Sequence, residues 1–482
     1  MKSMKPQTHH NLPSCGIKSM LPVVILLLLF FSCTKIRTDT NISHGAEQPD
    51  DLTILHMDKP NIILIMSEDM GYEVPTVNGG ESYETPTLDK IAKEGMRFTQ
   101  CHGSPQCAPS RWMMMTGKYN FRNYFYYGKM YSDQRTFANM LKDAGYETGV
   151  YGKWALDGGD TSVHNFGFNH YAIWNPYKDP LPGDKKGSIY KNPSIYETGD
   201  YIADSLTEGK FGDDIFTDSV IHFMQVNKNK PFFVYYPMTL SHMPANPTPD
   251  DPAFATWDPY TYVDDTTYFP SQVKYADKKI GDIIRKVNKM NIASETVVIV
   301  VFGDNGTREG VTSIFNGSVI PGSRKEVSEY GTHVSLFVYW PGTVAPHTVN
   351  NDLVDFTDFL PTLAGDANIP VPSTYGKIDG VSFYAGIIGQ AGKKRSWIYD
   401  YYWPVPNRPG IKTFAEWAQT SSYKLYDSSS LEMKGYFYKL ENFTEIEPQL
   451  DVTTLTKKEN KIRDSLLSVI QMMHKDPEYR FR

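Results

Sequence analysis

Five short apolar segments recur along the middle of the chain, each bounded by turn-forming residues. They are NIILIM at 61–66, TGVYG at 148–152, PFFVYYP at 231–237, TVVIVVFG at 296–303 and VSLFVYW at 334–340. Strands that are buried on both faces lose the alternation of polar and apolar residues that a half-exposed strand shows. These segments therefore predict buried strands of a mainly parallel sheet.

Apolar residues at helical spacing separate these segments. The four stripes are Leu88, Ile91, Ala92 and Met96; Phe137, Met140, Leu141 and Ala144; Ile215, Val220, Phe223 and Met224; and Ile280, Ile283, Ile284 and Val287. Thr85 and Pro86 predict the start of the first helix, as its cap and its first helical residue. Alternation of strands and helices over residues 60–366 predicts an α/β fold with a doubly wound, mainly parallel sheet flanked by helices.

The pattern changes near residue 370. Short strand-like pieces follow (RSWIYDYYW, SSYKLY and GYFYKL), and an amphipathic helix is predicted from about Lys457 to His474. Short strands joined by short turns favour antiparallel pairing. The chain thus predicts a larger catalytic domain over residues 59–370 and a smaller antiparallel α+β subdomain over residues 371–482.

The first 33 residues have the pattern of a bacterial export signal. Lysines precede an apolar run at 21–32, which is shorter than the ~20 residues of a membrane-spanning helix. Ser32 directly before Cys33 resembles the lipobox of lipoproteins, which predicts cleavage there and lipidation of Cys33; ordinary secretion, with Cys33 as a bystander, is the alternative. Residues 34–58 are polar and predict a flexible tether. We expect an exported protein, periplasmic or at the cell surface, attached to the membrane through a lipid anchor only.

Composition narrows the functional classes. The chain has 482 residues, of which 40% are hydrophobic and 21% charged, and only four cysteines, so it is neither disordered nor a disulfide scaffold. Its formal net charge of −7 argues against a nucleic-acid binder, because such proteins neutralise phosphates with excess lysine and arginine. An anionic substrate must therefore meet a local cluster of cations.

Reactive side chains follow the predicted strands. They are Glu68 and Asp69, Lys153, His242, and Asp304 and Asn305. Ligands of open α/β sheets bind beyond the carboxyl ends of the strands, so these side chains should meet at one edge of the sheet. The carboxylates and the amide offer only oxygen ligands, which suits calcium, or alternatively magnesium, rather than zinc.

Cys107 begins the segment Cys-Ala-Pro-Ser-Arg, which leads to Thr116-Gly117-Lys118. In an oxidising compartment a disulfide between Cys101 and Cys107 is one interpretation. The other is that Pro109 marks a helix start, so that backbone amides and Arg111 form an anion site beside Cys107.

Together these motifs resemble the formylglycine-dependent sulfatases of the alkaline-phosphatase superfamily. The resemblance rests on Cys-x-Pro-Ser-Arg with Thr-Gly-Lys and on KPNIILIMSEDMGY, YGKW, KPFFVYYPMTLSHMP, VVIVVFGDNG and Lys325-x-x-x-Glu329. It extends over roughly residues 58–482. It implies an alkaline-phosphatase-like fold and a sulfuric ester hydrolase that removes sulfate from a sulfated glycan or sugar.

The resemblance also implies roles for individual residues. A maturase would oxidise Cys107 to formylglycine (3-oxoalanine), whose hydrate supplies the nucleophilic hydroxyl. The implied metal ligands are Glu68, Asp69, Cys107, Asp304 and Asn305; the implied catalytic residues are Cys107, Arg111, Lys153, His242 and Lys325; and the implied substrate-binding residues are Lys118, Lys153, His242 and Lys325.

Three positions depart from the family pattern. Glu68 stands where the family has aspartate, and Ala155 replaces a histidine of the Lys-Trp-His motif, for which His164 or water is a candidate substitute. The segment from Glu329 to His333 replaces Glu-Gly-Gly-x-Arg. Two other functions stay open: a phosphodiester or phosphonate ester hydrolase on the same fold, and, because of Ala155, a surface protein that binds sulfated glycans without turnover.

Overall fold

The computed structural model describes residues 59–126, 128–177, 188–403, 414–431, 433–441, 444–445 and 448–479. The predicted export signal with Cys33 and the predicted tether at 34–58 lie outside these residues. Within the described ranges, no helix combines the length and the apolar character needed to cross a bilayer.

Strands and helices alternate along most of the described chain. The strands are β1 (Asn61–Met66), β2 (Met96–His102), β3 (Tyr124–Tyr126), β4 (Lys129–Met130), β5 (Glu147–Lys153), β6 (His170–Trp174), β7 (Tyr196–Glu197), β8 (Asp200–Tyr201), β9 (Phe232–Pro237), β10 (Thr296–Phe302), β11 (Thr312–Phe315), β12 (Ser318–Pro321), β13 (His333–Tyr339), β14 (Thr348–Asn350), β15 (Val354–Asp355), β16 (Ile398–Tyr402), β17 (Ala415–Gln419), β18 (Tyr423–Tyr426), β19 (Phe437–Glu441) and β20 (Thr444–Glu445). The helices are α1 (Pro86–Glu94), α2 (Cys107–Thr116), α3 (Asn120–Asn123), α4 (Phe137–Asp143), α5 (Gly159–Asn165), α6 (Asp204–Thr207), α7 (Gly212–Asn227), α8 (Phe269–Lys289), α9 (Glu329–Thr332), α10 (Phe359–Asp366), α11 (Tyr384–Ile387) and α12 (Lys457–His474).

The main sheet confirms the predicted fold class. Its strands lie in the order β14-β2-β13-β10-β1-β9-β5-β6-β7-β8, with β15 paired to β2. The central strands β10, β1, β9, β5 and β6 are parallel to one another. The strand predicted at 334–340 is β13, which runs antiparallel to β10 and to β2, so the sheet is mixed toward this edge.

Two hydrophobic clusters cover the two faces of the sheet. Along β1, Ile62 and Leu64 belong to one cluster, whereas Ile63 and Ile65 belong to the other. Helices α1, α7 and α8 pack on the second face, and α2, α4, α10 and α12 contribute to the first. Burial on both faces explains the uninterrupted apolar sequence of the central strands.

The start of α1 differs from its prediction in one respect. Pro86 is the first helical residue and Thr85 occupies the cap position, but the Thr85 hydroxyl accepts from the amide of Thr76 instead. The carboxylate of Asp277, on α8, accepts from the amides of Thr87 and Leu88 at 2.9 Å each. A carboxylate from a distant helix thus satisfies the free amides of this helix start.

The predicted C-terminal elements form an antiparallel sheet in the order β16-β17-β18-β19-β20. Helix α12 has the predicted bounds and begins with a capping box between Thr456 and Glu459. Tyr399, Phe437 and Leu466 from this region join the same hydrophobic cluster as Trp112 of α2. The C-terminal sheet therefore shares a hydrophobic core with the helix that begins at Cys107. The division at residues 370 and 371 stays a prediction.

Candidate active site

The predicted site residues lie where parallel strands end. Glu68 and Asp69 follow β1, Lys153 is the last residue of β5, and Asp304 and Asn305 follow β10. Strand β2 ends at His102 and leads into Cys107, while β9 leads toward His242. Because β1, β5, β9 and β10 are parallel, their carboxyl ends form one edge of the sheet.

Cys107 is the first residue of α2, and its side chain is buried. Its sulfur and carboxylate oxygens of Glu68 and Asp304 lie within 4.8 Å of one another. Cys101 sits in the hydrophobic cluster instead, and no disulfide joins these two described residues. The disulfide interpretation is thus wrong for this structure, because Cys101 lies in the hydrophobic core whereas Cys107 lies among the active-site carboxylates.

Arg111 and Lys153 surround the same carboxylates. Arg111 binds Glu68, donates to the carbonyl oxygen of Lys153 at 2.8 Å and places its Nε 3.5 Å from Asp304 Oδ2. The Lys153 ammonium binds the other oxygen of Glu68. Both cations are nearly inaccessible to water, where charge interactions are strongest.

Asp69 and Asn305 complete the oxygen-rich side of the site. The Asp69 amide donates to Asp304 Oδ1 at 3.1 Å, and Asn305 Nδ2 donates to Asp69 Oδ1 at 2.9 Å. Burial raises the pKa of the Asp69 carboxyl, against the opposing effect of Arg324, and the neighbouring charge of Asp304 raises it further. Crowded carboxylates of this kind are stabilised when a cation joins them.

Three oxygen atoms in this cluster test whether it fits a divalent cation. Asp69 Oδ2, Asp304 Oδ2 and Asn305 Oδ1 are buried and have no hydrogen-bond partner among the described residues. Leaving a buried polar atom unsatisfied is unfavourable, so such atoms mark places where a ligand belongs. The residues present therefore fit a hard, oxygen-coordinated metal ion.

Arg324 is a site residue that the sequence reasoning missed. Its Nε lies 2.9 Å from Asp69 Oδ1, and the residue is only 6% exposed. Lys325, which was predicted for the site, has its Nζ 3.0 Å from Glu309 Oε1 and is 44% exposed. Lys325 lies in a turn and has a positive φ of 73°. The structure thus places the adjacent arginine, and not Lys325, against the carboxylates.

His242 faces the cationic side of the site. Its Nδ1 donates to the carbonyl oxygen of Met243 at 2.6 Å, and its ring centroid is 5.7 Å from that of Trp174. Burial lowers the pKa of His242 well below 6.5, and the nearby cations Lys153 and Arg324 lower it further. Without substrate the imidazole is therefore neutral, with an unprotonated Nε2.

Two other predicted groups bind elsewhere. The Lys118 ammonium donates to Gln134 Oε1 at 3.1 Å, and no described contact joins it to the carboxylate cluster. Ala155 follows Lys153 and Trp154 in a turn, with φ of 51°. His164 bonds to the carbonyl oxygen of Phe168 and to Asp160, at 2.8 and 3.2 Å. His164 is therefore not positioned to replace the histidine that Ala155 lacks.

The departure at 329–333 fills buried space. Glu329 lies 3.4 Å from the Lys424 ammonium. The His333 ring stacks between Tyr72, at 4.0 Å, and His102, at 4.8 Å. Burial lowers the pKa of His333 to about 3, so a neutral aromatic stack stands where the family has a charged arginine.

Buried carboxylates, a cysteine at a helix start and convergent cations lie together at the carboxyl edge of the sheet. This arrangement suits the binding of a tetrahedral anion. The Sulfatase family model matches residues 60–369. The chain therefore belongs to the sulfatase family, whose members hydrolyse sulfate esters.

Named relatives agree with this assignment. An arylsulfatase of Hemicentrotus pulcherrimus is 27% identical over 386 residues, which cover 73% of this chain and 68% of the relative. An N-acetylglucosamine-6-O-sulfatase of Bacteroides thetaiotaomicron is 34% identical over 195 residues, which cover 40% of this chain and 32% of the relative.

Solved structures share the fold. The structure of BT4656 in complex with its substrate D-glucosamine-2-N,6-O-disulfate matches with a TM-score of 0.68 and 21% identity, over 88% of this chain and all of that chain (100%). A phosphonate monoester hydrolase from Silicibacter pomeroyi matches with a TM-score of 0.58 and 14% identity, over 86% and 95% of the two chains.

Proposed function

We propose that this protein removes sulfate from a sulfated carbohydrate, using a formylglycine formed from Cys107 and a bound calcium ion. The observation that carries the proposal is the placement of the Cys107 sulfur, at the start of α2, among the carboxylates of Glu68 and Asp304. A helix start also directs its amide donors and positive dipole at this position, which favours an anionic group.

Calcium is preferred over magnesium because of the chemistry of the donor set. Glu68, Asp69, Cys107, Asp304 and Asn305 would hold the ion, with formylglycine in place of the thiol. Glu68 is one methylene longer than the aspartate of the family pattern, and calcium tolerates varied distances and coordination numbers better than magnesium does. The metal and formylglycine supply Lewis acidity and a hydroxyl nucleophile.

The cations of this chain bind and orient the substrate. Arg111 and Lys153 lie on one side of the carboxylates, and Arg324 lies on the Asp69 side. Their fixed positive charges match the charge that accumulates on sulfate oxygens during transfer. Arg111, Lys153 and Arg324 thus form the local group of cations that an anionic substrate needs in a protein with a net charge of −7.

His242 handles the proton of the leaving alcohol. Its Nδ1 proton is donated to the carbonyl oxygen of Met243, so Nε2 is the nitrogen that is available to exchange a proton with the substrate. The negative charge of a bound sulfate ester favours protonation of Nε2, and the imidazolium then donates this proton to the departing oxygen. Lys325 would share this role only after leaving Glu309.

The carbohydrate class is supported by the named relatives and by the ligand of the glucosamine-disulfate complex. Trp174, beside the His242 ring, offers an aromatic surface of the kind on which sugars stack. Export, lipidation of Cys33 and oxidation of Cys107 by a maturase belong to the same proposal, since glycan polymers are met outside the cell.

The test is a matched pair of cysteine variants. Protein made with a maturase should yield a tryptic peptide containing formylglycine at position 107, and it should release sulfate from sulfated sugars. Cys107→Ala should abolish release, whereas Cys101→Ser should retain it, because Cys101 lies in the hydrophobic cluster. An unmodified Cys107 beside a correctly matured control sulfatase, or equal release by Cys107→Ala, would disprove the proposal.

The same cation cluster would accept a phosphodiester or a phosphonate ester. Rates on an aryl sulfate and on the matching aryl phosphodiester, measured with one preparation, separate the two chemistries. Binding of sulfated glycan without any turnover, with formylglycine present, would instead favour a binding protein.

A further inference from the structure

Lys424 lies on β18 of the C-terminal sheet and is fully buried. Its Nζ donates to the carbonyl oxygen of Val327 at 2.6 Å and lies 3.1 Å from Glu445 Oε1 and 3.4 Å from Glu329 Oε1. A buried lysine needs such partners, because an unpaired ammonium is costly away from water. One backbone oxygen and two carboxylates thus fix this ammonium.

Aromatic residues of the same sheet hold the ammonium in place. It lies 4.9 Å from the ring centre of Trp417 and 5.1 Å from that of Tyr426. The Tyr426 hydroxyl lies 2.8 Å from the carbonyl oxygen of Val327 and 2.7 Å from Glu445 Oε1, so its one proton is shared between these two acceptors. The Lys424 ammonium is therefore the donor that is committed to this backbone oxygen of the larger domain, and the Tyr426 hydroxyl lies beside it.

Val327 belongs to the segment that carries Arg324 into the active site. The Arg324 amide donates to the carbonyl oxygen of Thr307 at 2.9 Å, and its side chain reaches Asp69. The Lys325 amide donates to the carbonyl oxygen of Pro105, also at 2.9 Å, two residues before Cys107. The residues at 324–327 thus contact both the carboxylate side and the cysteine side of the site.

We propose that Lys424 is a positioning residue for catalysis: it fixes the carbonyl of Val327 and thereby holds Arg324 against Asp69. This inference rests on the proposed function, since Arg324 is taken to bind the substrate anion. The C-terminal sheet then contributes to catalysis by holding the backbone of residues 324–327, and none of its own side chains needs to touch the substrate.

Lys424→Met tests the inference, since methionine keeps much of the apolar stem and removes the ammonium. We expect kcat/KM for an aryl sulfate to fall by about 10- to 100-fold, as small displacements of positioned groups do. In an Arg324→Ala background, Lys424→Met should lower kcat/KM only slightly further. The effects of two residues are not additive when one acts through the other.

The control is Glu416→Gln, which perturbs the same C-terminal sheet but not residues 324–327. Its kcat/KM should stay within about twofold of wild type. Amide hydrogen exchange of the peptide covering 323–330 should speed up in Lys424→Met and not in Glu416→Gln.

Each outcome decides the question. An undiminished kcat/KM in Lys424→Met, an equal loss with and without Arg324, or unchanged exchange at 323–330 overturns the inference. If Lys424→Met does not fold, Tyr426→Phe removes the hydroxyl that lies beside the Val327 carbonyl oxygen, and it should show a smaller loss of kcat/KM, again absent in the Arg324→Ala background. If wild-type protein releases no sulfate, the proposed function fails, and the exchange measurement still decides whether Lys424 holds the segment.

Discussion

Two acidic clusters in this protein are similar in composition but differ in how completely their oxygen atoms are hydrogen-bonded. Ligand atoms of Glu416, Asp427 and His474 lie within 4.8 Å of one another, as do those of Glu68, Cys107 and Asp304 in the active site. Yet both oxygens of Glu416 are occupied: Tyr399 donates to Oε1 at 2.5 Å, and Tyr479 and His474 lie 2.8 and 2.9 Å from Oε2.

The active-site cluster is only partly satisfied, because Arg111 and Lys153 bind the two oxygens of Glu68 but not all oxygens of its neighbours have a partner. Asp69 Oδ2, Asp304 Oδ2 and Asn305 Oδ1 are buried without a hydrogen-bond partner among the described residues. Proximity of carboxylates therefore does not identify a metal site. The discriminating feature is the unsatisfied oxygen, because a cluster that is complete without a ligand gains little by binding one.

The largest expected effect separates the clusters by activity. Asp304→Asn should lower sulfate release by about 10³-fold, since it removes a charge that faces Arg111 and that would hold the proposed metal ion. Glu416→Gln should stay near the wild-type rate. Initial rates on an aryl sulfate, with circular dichroism to confirm folding, measure both. Equal losses in the two variants would contradict the distinction.

Within the active-site cluster, Arg324 and Lys325 form the next contrast. Arg324→Ala should lower kcat/KM by about 100-fold, because it removes a buried cation 2.9 Å from Asp69. Lys325→Ala should cost less than about threefold, as exposed ion pairs such as the one with Glu309 contribute little. If Lys325→Ala lowered kcat/KM for the same aryl sulfate more than Arg324→Ala did, Lys325 and not Arg324 would be the cation that acts on the substrate.

This contrast marks what sequence motifs could and could not predict. The motif spacing identified the segment and predicted Lys325 as its site residue, whereas the cation that the structure places against Asp69 is Arg324. Arg324 is 6% exposed and contacts Asp69, whereas the next side chain, Lys325, is 44% exposed and contacts Glu309. The pair Arg324-Lys325 was itself the available signal.

The fold shows the same division. The central strands were predicted because burial on both faces leaves uninterrupted apolar runs, as in Asn61–Met66. Strand Met96–His102 was missed, since partly exposed positions interrupt its apolar pattern. An apolar run carries no direction, so the antiparallel course of His333–Tyr339 had no sequence signal. The capping of α1 by Asp277 joins residues 190 positions apart, beyond any local pattern.

Calcium binding tests the contrast without turnover. At a free calcium concentration of about 10 times Kd, wild-type protein should gain about 1.4 kcal/mol in free energy of unfolding. Asp304→Asn should gain almost nothing, while Glu416→Gln should gain as much as wild type, because its cluster is not the binding site. Denaturant titrations with calcium or with a chelator give these values. If calcium failed to stabilise Glu416→Gln but still stabilised Asp304→Asn, the metal site would have to be assigned to the cluster of Glu416, Asp427 and His474.

The smallest expected effect is a pH-dependent contribution of the cluster of Glu416, Asp427 and His474 to the free energy of unfolding. The hydrogen bond to Glu416 raises the pKa of His474 above 6.5. A raised histidine pKa stabilises the fold below pH 6.5, and this contribution is lost as pH rises through the folded-state pKa. Because the His474 side chain is 35% exposed, solvent screening limits it to about 0.5 kcal/mol. His474→Gln should therefore be less stable than wild type at pH 5.5 by about this amount and nearly equal to it at pH 9, in matched denaturant titrations. A stability difference that grows with pH would show that His474 is not charged against Glu416, and it would remove the basis for calling this cluster complete.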